Sequence, residues 1–446
     1  MRSKFVERLP AGGRPYRLMR PCLRRVTVDL TPVLPGGDNG GAKLVARSLI
    51  RELAVLAPDT EFIVLTSDSS HAELADLDGP NVRRQCANVE VASTRVDPSA
   101  LAGARLAARV VVDALLPPGA RSRVKDAVWA VVKRRRRRQV AASVAADLHF
   151  CPFTAPFFFD PRVPLVSIVH DLQFLEFPEF FEPQQLQDRH RHFLDACERA
   201  DRLICVSEFV RQTVLANSRV RPEAVQTIHS AVLHATRRDP QAASIAREVL
   251  AALGVRPSRF LLYPGNAWPH KNHRVLVEAF AGYQRRKPGT DLALVCTGAP
   301  GRAFDEITRF SQQVLPPGTF AFAGYLPERE YAALLQSCRA LIFPSLYEGF
   351  GLPVLEAMAC DRPVLCSTSS SLPEIAGDAA VLFDPRDASA IADAIESLET
   401  EPAFEAALIQ HGRRRAKQFG SAREMAAKYL SAFEDVVCAR SGAAAR

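Results

Sequence analysis

Strand-length apolar runs alternate with helix-length amphipathic stretches twice along this chain, and that alternation leaves few folds open. The first series opens with Arg25-Val26-Thr27-Val28-Asp29, followed by the glycine-rich loop Gly36 to Gly41. A helix follows, with Val45, Leu49, Leu53 and Leu56 on one face, and then the strand Glu61 to Thr66. Val163 to Val169, Arg202 to Val206 and Val225 to His229 read as further strands. Gln184 to Arg199 reads as a helix, and Ser207 as the N-cap of the next one. Residues 68–150 read as Ala- and Arg-rich helical stretches with few turn signals, and Arg237 to Val255 as a polar, Ala-rich interdomain connection. The second series has strands at Phe260–Tyr263, Leu292–Cys296, Phe320–Phe322, Ala340–Phe343, Val364–Cys366 and Val381–Phe383. Two such series of roughly 200 residues each predict an α/β chain of two doubly wound, Rossmann-like parallel-sheet domains. Their bounds are 22–240 and 256–420. Ligands of such sheets bind outside the carboxyl ends of the strands, so the informative residues are those just after each strand.

Composition narrows the setting. No run of about 18 apolar residues is present, so a membrane-spanning helix is not expected. Met1 to Arg20 has no apolar h-region, so no secretory signal is expected, and the ten cysteines, without a CxxC pair, read as reduced thiols. The expected location is cytoplasmic, or peripheral on the inner face of the cytoplasmic membrane. Much of the net charge of +8 is gathered in Lys133-Arg134-Arg135-Arg136-Arg137-Arg138. Val124, Val128, Trp129, Val131 and Val132 precede it, which predicts an amphipathic helix ending in a basic run suited to an anionic membrane surface. The plainer reading is a solvated charge run. No RNP pattern, zinc-finger spacing or interleaved aromatics accompany it, so no nucleic-acid partner is expected.

The densest constellation follows the strand ending at Phe343: Pro344-Ser345-Leu346-Tyr347-Glu348-Gly349-Phe350-Gly351-Leu352-Pro353-Val354-Leu355-Glu356. Pro353 suits the first turn of a helix. Gly349 and Gly351 permit close backbone approach, and the free N–H groups of that turn favour an anion such as a diphosphate. Glu348 and Glu356 would repel phosphate, so they are expected to face sugar and ribose hydroxyls. Lys271 follows a strand and is placed at the start of a helix Asn272 to Gln284, as a compact charge for phosphate. His170 follows an apolar strand and should face the cleft, with Asp171 orienting its ring or capping the next segment.

These residues resemble a known family. Glu348 and Glu356, with Gly349-Phe350-Gly351-Leu352-Pro353 between them, look like the E-x7-E signature of retaining family-4 glycosyltransferases of the GT-B fold. Gly265-Asn266-Ala267-Trp268-Pro269-His270-Lys271-Asn272 resembles that family's diphosphate loop, and Ala323-Gly324-Tyr325-Leu326 the segment lining the nucleotide base. Ser371-Leu372-Pro373-Glu374 and Phe383-Asp384-Pro385 also fit. Val169-His170-Asp171-Leu172, Phe177-Pro178-Glu179 and Val206-Ser207-Glu208-Phe209-Val210 look like the mannosyltransferase-like branch. The resemblance implies two domains facing a cleft, with the acceptor on the first and a nucleotide-diphosphate sugar on the second. It also implies that the last helix, within 421–440, returns to the first domain. It implies Glu348, His170 and Lys271 as catalytic residues. Glu356, Gly349, Phe350, Gly351, Leu352, Asn266, Tyr325 and Ser345 would bind the donor, and Gly36, Gly37 and Asp171 would lie on the acceptor and phosphate side. No cofactor and no metal are expected. The reaction would be hexose transfer, with mannose from GDP-mannose favoured, to a saccharide or lipid-linked saccharide in cell-surface polysaccharide assembly. Two departures are visible. Asn266 stands near where many members carry Arg, leaving Lys271 with less charge support unless His270 supplies some. Ile228-His229-Ser230-Ala231 stands where many have Asn-Gly.

Other readings compete. Gly36-x4-Gly41-Ala42-Lys43 approaches a P-loop, but Ala42 interrupts it and Leu44 replaces the magnesium-binding hydroxyl, which excludes that chemistry. Asp76-Leu77-Asp78 matches a D-x-D metal motif without supporting context. His190 and His192 point to different helix faces and make no metal pair. Phe150, Phe153, Phe157, Phe158 and Phe159 read as core, or as an acceptor-facing surface. A UDP-sugar-dependent glucosyltransferase, a nucleotide-sugar 2-epimerase, a catalytically silent scaffold and a nucleic-acid-binding protein are the alternatives.

Overall fold

The computed structural model describes residues 23–36, 39–87, 135, 137–232, 239–255, 259–400 and 402–444. Among the described residues the first sheet has seven strands: β1 (Arg25–Asp29), β2 (Glu61–Thr66), β3 (Val82–Cys86), β4 (Leu148–Cys151), β5 (Leu165–Val169), β6 (Arg202–Cys205) and β7 (Val225–Thr227). They run in the order β3-β2-β1-β4-β5-β6-β7, every pair parallel. The second has six: β8 (Arg259–Pro264), β9 (Leu292–Thr297), β10 (Phe320–Phe322), β11 (Ala340–Phe343), β12 (Val364–Ser367) and β13 (Val381–Phe383), in the order β10-β9-β8-β11-β12-β13. All of its pairs are parallel too. The central strands are near-continuous apolar runs, as a sheet covered on both faces requires. Strand order reverses between β1 and β4 in one sheet and between β8 and β11 in the other. Those two switch points are where doubly wound sheets open a crevice.

Three expectations are corrected. The span 68–150, read as helical, contains β3 and β4. Strand β3 is Val-Arg-Arg-Gln-Cys, polar because it is an edge strand with one neighbour. Strand β4 carries a buried histidine, His149, whose Nε2 accepts the backbone N–H of Asp160 at 3.0 Å. Both sequences break the apolar pattern by which a strand is recognised. Within the supposed connection 237–255, the helix Ala242–Ala252 packs against the helix Glu328–Ser337 of the second sheet's domain. Lys271 does not begin an α-helix. It ends a 3-10 turn, Pro269–Lys271, and Asn272 then takes a left-handed φ of 60° before the helix His273–Arg286.

The last helix, Ala422–Ala444, leaves the second domain and lies along the helix Gly40–Leu56 of the first. Phe433 and Tyr429 pack their rings against Phe150 of β4, with centroids at 4.9 and 6.0 Å. Arg440 grips Asp201 near the end of that helix. Among the described residues no helix is long and apolar enough to cross a membrane, and no disulfide forms. Of the basic run, Lys133, Arg134 and Arg136 lie outside the described residues, as do Val124 to Val132. Arg135 and Arg138 are exposed, whereas the Arg137 guanidinium lies 4.7 Å from the Phe157 ring centroid. Arg137 is therefore turned toward the protein rather than solvated with its neighbours.

Because Phe433 is fully buried at this seam, Phe433→Ala should cost about 3–5 kcal/mol. Urea unfolding of the whole chain should show a midpoint lowered accordingly. An unchanged midpoint would mean that the helix is not docked as described.

Candidate active site

A cleft of about 1150 Å³ runs between the carboxyl ends of the two sheets. Its second-domain wall is made by the loops after β8 and β11, the strands flanking the switch point. The two loops are fastened to each other. Leu346 N–H donates to the His270 carbonyl at 2.8 Å, and Asn272 Nδ2 donates to the carbonyls of Pro344 and Pro385 at 3.1 and 2.7 Å. The buried Tyr263 hydroxyl donates to the Lys271 carbonyl at 2.5 Å. Lys271 is thereby aimed at Glu348, and Nζ meets Oε1 at 2.5 Å. Ser370 and Ser371 hold Glu348 by its own backbone N–H and carbonyl. Past Glu348 the chain turns at Gly351, whose φ of 95° favours glycine, and Leu352 begins the helix Leu352–Ala359 with Pro353 in its first turn. Leu352 and Gly351 line the cleft there.

Glu356 lies one turn further into the same helix. It is buried and accepts a hydrogen bond from the Tyr331 hydroxyl at 2.9 Å. Burial pushes its carboxyl up to about 7, against the opposing pull of the tyrosine. His270 cannot support Lys271 with charge, contrary to the expectation. Burial and the neighbouring Lys271 push its imidazole down to about 2, so it is neutral.

The first-domain wall carries His170, directly after β5. Its Nε2 lies 2.7 Å from the Pro152 carbonyl, an acceptor only, so the proton is on Nε2 and Nδ1 is left as an acceptor. Burial lowers its pKa, which keeps the ring neutral. Asp171 accepts the Gln173 N–H at 3.2 Å, which is the capping role. Across the cleft, Gly349 touches this loop so closely that a Cβ there would lie 1.8 Å from the His170 carbonyl oxygen. Ser207 Oγ donates to the Gly349 carbonyl at 2.7 Å, and Leu172 N–H donates to the Tyr347 hydroxyl at 3.4 Å.

Most of the residues singled out from the sequence line this one cleft: His170, Lys271, Glu348 and Glu356, with Gly36, Asp171, Asn266, Tyr325 and Gly349 to Leu352. Ser345 does not. It is fully buried, with its Oγ 3.3 Å from the Tyr263 hydroxyl, and its work is to position the loop. Gly37 lies outside the described residues. Lys43 is buried against Glu73 and the carbonyls of Leu34 and Gly36, so it braces the glycine loop. The Asp-Leu-Asp stretch is structural: Asp76 pairs with Arg47 and Arg51, and Asp78 with Arg84. Phe150, Phe158 and Phe159 are core, while Phe153 and Phe157 reach the cleft.

Four features escaped the sequence reading. Tyr331 and Arg189 stand in no motif, and the bond of Asp29 and the pairing of His229 with Glu374 are not visible from the short motifs that contain them. Asp29 ends β1 and accepts the Phe158 N–H at 3.1 Å, and burial raises its pKa. Arg189 had a signal, because Gln185, Arg189 and His192 recur at helical spacing and line the cleft.

Comparison with known proteins agrees with this geometry. The family model described as Glycosyltransferase Family 4 matches residues 39–234, and that described as Glycosyl transferases group 1 matches residues 252–415. The chain belongs to the family-4 glycosyltransferases of the GT-B fold. Among its relatives is the O-antigen chain mannosyltransferase B of Escherichia coli, 30% identical over 257 residues, which are 57% of this chain and 66% of the relative. The serotype-specific mannosyltransferase WbdA of the same organism is 29% identical over 260 residues, 57% of this chain and 31% of the relative. The chain thus matches less than two thirds of each relative's length. Among solved structures, HepE of Anabaena, in complex with UDP and glucose, superposes with a TM-score of 0.67 at 16% identity. The match covers 92% of this chain and all of HepE. WaaG, a glycosyltransferase involved in lipopolysaccharide biosynthesis, gives 0.60 at 15% identity, over 90% and 98%. At these identities the two structures speak for the fold.

The contact between the walls has a pH signature. Glu374 accepts the N–H groups of Glu208 and Phe209, at the start of the helix Glu208–Ala216, and faces His229 Nε2 at 2.7 Å. Burial would raise its pKa, but these bonds outweigh it and hold the carboxyl below its ordinary range. A depressed carboxylate contributes stability that is complete above its unfolded value, near ~4.3, and is lost as pH falls through the folded value. Glu374→Gln should therefore melt at a lower temperature than the parent at pH 7, and the gap should close below about pH 4. A gap that is absent at pH 7, or that persists undiminished at pH 3, would remove Glu374 from the interdomain contact.

Proposed function

We propose that the protein is a retaining, metal-independent hexosyltransferase that moves mannose from GDP-mannose to a saccharide or lipid-linked saccharide during cell-surface polysaccharide synthesis. The observation that carries this reading is the single wall that presents Lys271, Glu348, the Gly351–Leu352 turn and Glu356 to one cleft. The mannosyltransferase relatives support mannose as the sugar.

On this reading the donor diphosphate takes Lys271 and the free N–H groups of the Leu352–Ala359 helix start. Charge developing on the leaving diphosphate meets fixed donors there, and such electrostatic stabilisation typically contributes about 10²–10³ in rate per donor. Lys271 leaving Glu348 for phosphate frees the Glu348 carboxylate to accept hydroxyls of the sugar. Glu356, steadied by Tyr331, accepts the ribose hydroxyls. His170 presents the Nδ1 acceptor from the opposite wall, next to the transferred sugar. In a front-face displacement the leaving phosphate oxygen itself takes the acceptor's proton, so no side chain is assigned as base. A lipid-linked acceptor places the work at the inner face of the cytoplasmic membrane.

Thermal shifts with GDP-, UDP- and ADP-sugars test the donor, because a ligand that binds only the native state stabilises it by mass action. GDP-mannose should give the largest rise. Incubation with donor alone should leave the sugar nucleotide unchanged; an epimerised product would make the protein a 2-epimerase. Lys271→Ala should cut transfer by at least ~10²-fold. Because burial pushes the Glu356 carboxyl up to about 7, GDP affinity should weaken from pH 8 to pH 6 more steeply in the parent than in Glu356→Gln. Parallel pH profiles would take Glu356 away from the nucleotide.

A further inference from the structure

We propose that Arg189, on the first-domain wall, is the second cation for the donor's diphosphate, reaching it across the cleft from the opposite domain. This rests on the reading of the cleft as a nucleotide-sugar site.

The argument is a charge balance. An anionic donor needs net positive charge where its phosphates lie. Among the described residues five Lys or Arg side chains line the cleft: Lys43, Arg47, Arg189, Lys271 and Arg302. Four of them are already neutralised by a carboxylate. Lys43 holds Glu73 at 2.5 Å and Arg47 holds Asp76 at 2.5 Å. Lys271 holds Glu348 at 2.5 Å and Arg302 holds Glu182 at 2.9 Å. Among the described residues Arg189 meets no carboxylate. Its guanidinium rests instead over the Phe181 ring, 4.7 Å from the centroid. Such a contact orients the planar head while leaving its N–H donors unspent.

The second domain does not fill the deficit. His270 is neutral, through burial first and the charge of Lys271 next, with Arg189 contributing in the same direction. Arg189 lines the same cleft as His270 and Lys271. Asn266 brings no charge, and its Oδ1 accepts the Ala299 N–H at 2.8 Å. So Lys271 and Glu348 together are neutral, and among the described Lys and Arg side chains lining the cleft Arg189 is the one without a carboxylate partner.

The location adds a consequence. Arg189 belongs to the helix Pro183–Arg199, whose N-cap residue Glu182 already pairs with Arg302 of the second domain. A diphosphate bound by Lys271 and Arg189 would bridge the two walls a little way along the same helix, so donor binding would draw the domains together. The Arg302–Glu182 pair is exposed at both ends and is worth little by itself.

Isothermal titration of the full chain with GDP, UDP, GMP and UMP tests this, using Arg189→Met, Arg189→Lys and, as a control on the same helix, Arg191→Met. Arg189→Met should weaken the diphosphate that binds the parent by roughly tenfold or more, the loss expected for a charge-assisted hydrogen bond. It should weaken the matching monophosphate less, and Arg189→Lys should recover part of the loss. Arg191, paired with Asp188 at 2.6 Å, should be silent. Diphosphate affinity equal to the parent's in Arg189→Met overturns the proposal. That includes the case in which only the acceptor KM rises, which would assign Arg189 to an acceptor phosphate. If the parent binds none of the four nucleotides, the GDP- and UDP-sugar readings of the cleft fail and this inference falls with them.

Discussion

The contact between Gly349 and the His170 carbonyl sets the rest of the molecule. No side chain fits there, so the loop after β11 and the loop after β5 meet backbone to backbone. Around this point Ser207 donates to the Gly349 carbonyl, the Tyr347 hydroxyl lies beside Leu172 N–H, and Glu374 caps a first-domain helix from the second domain. The two sheets are thereby fixed with their carboxyl ends facing, and the cleft follows from that arrangement. The final helix, docked on Gly40–Leu56 and Phe150, ties the domains from the far side. One close approach and one crossover helix do most of the positioning.

Inside the cleft the decisive feature is a poised ion pair. Lys271 and Glu348 are both largely withdrawn from solvent, and each satisfies the other at 2.5 Å. Separating a buried pair is costly unless a new partner arrives for each member. A diphosphate is such a partner for the lysine, and sugar hydroxyls are such partners for the carboxylate. On the proposed reading the site favours a ligand that carries both groups at once over one that carries phosphate alone. On the proposed reading Glu356, pushed up to about 7 by burial, extends the same logic to the ribose.

The sequence disclosed the alternation of strands and helices, because central strands of parallel sheets are continuous apolar runs. It also disclosed the Glu348-to-Glu356 constellation, because glycine and proline at a helix start have few other uses. Strands β3 and β4 escaped it. An edge strand can be polar, and in β4 the buried His149 takes its Nε2 partner, the Asp160 N–H, from eleven residues away. The partners of the site residues escaped for the same reason. Tyr331 lies 25 positions from Glu356, and Glu374 lies 145 positions from His229. Arg189 and His192 share a helical spacing with Gln185, but that spacing did not single them out, because their significance depends on what stands across the cleft. Ser345 shows the converse. It lies inside a motif that faces the ligand, yet its own side chain turns inward to Tyr263.

A crystal structure of the chain with GDP and mannose tests the central claim most directly. The account predicts the diphosphate between Lys271 and the Gly351–Leu352 turn, Glu348 released toward the sugar, and Glu356 on the ribose. A nucleotide bound elsewhere, or bound in the cleft with the Lys271–Glu348 pair intact, would contradict it.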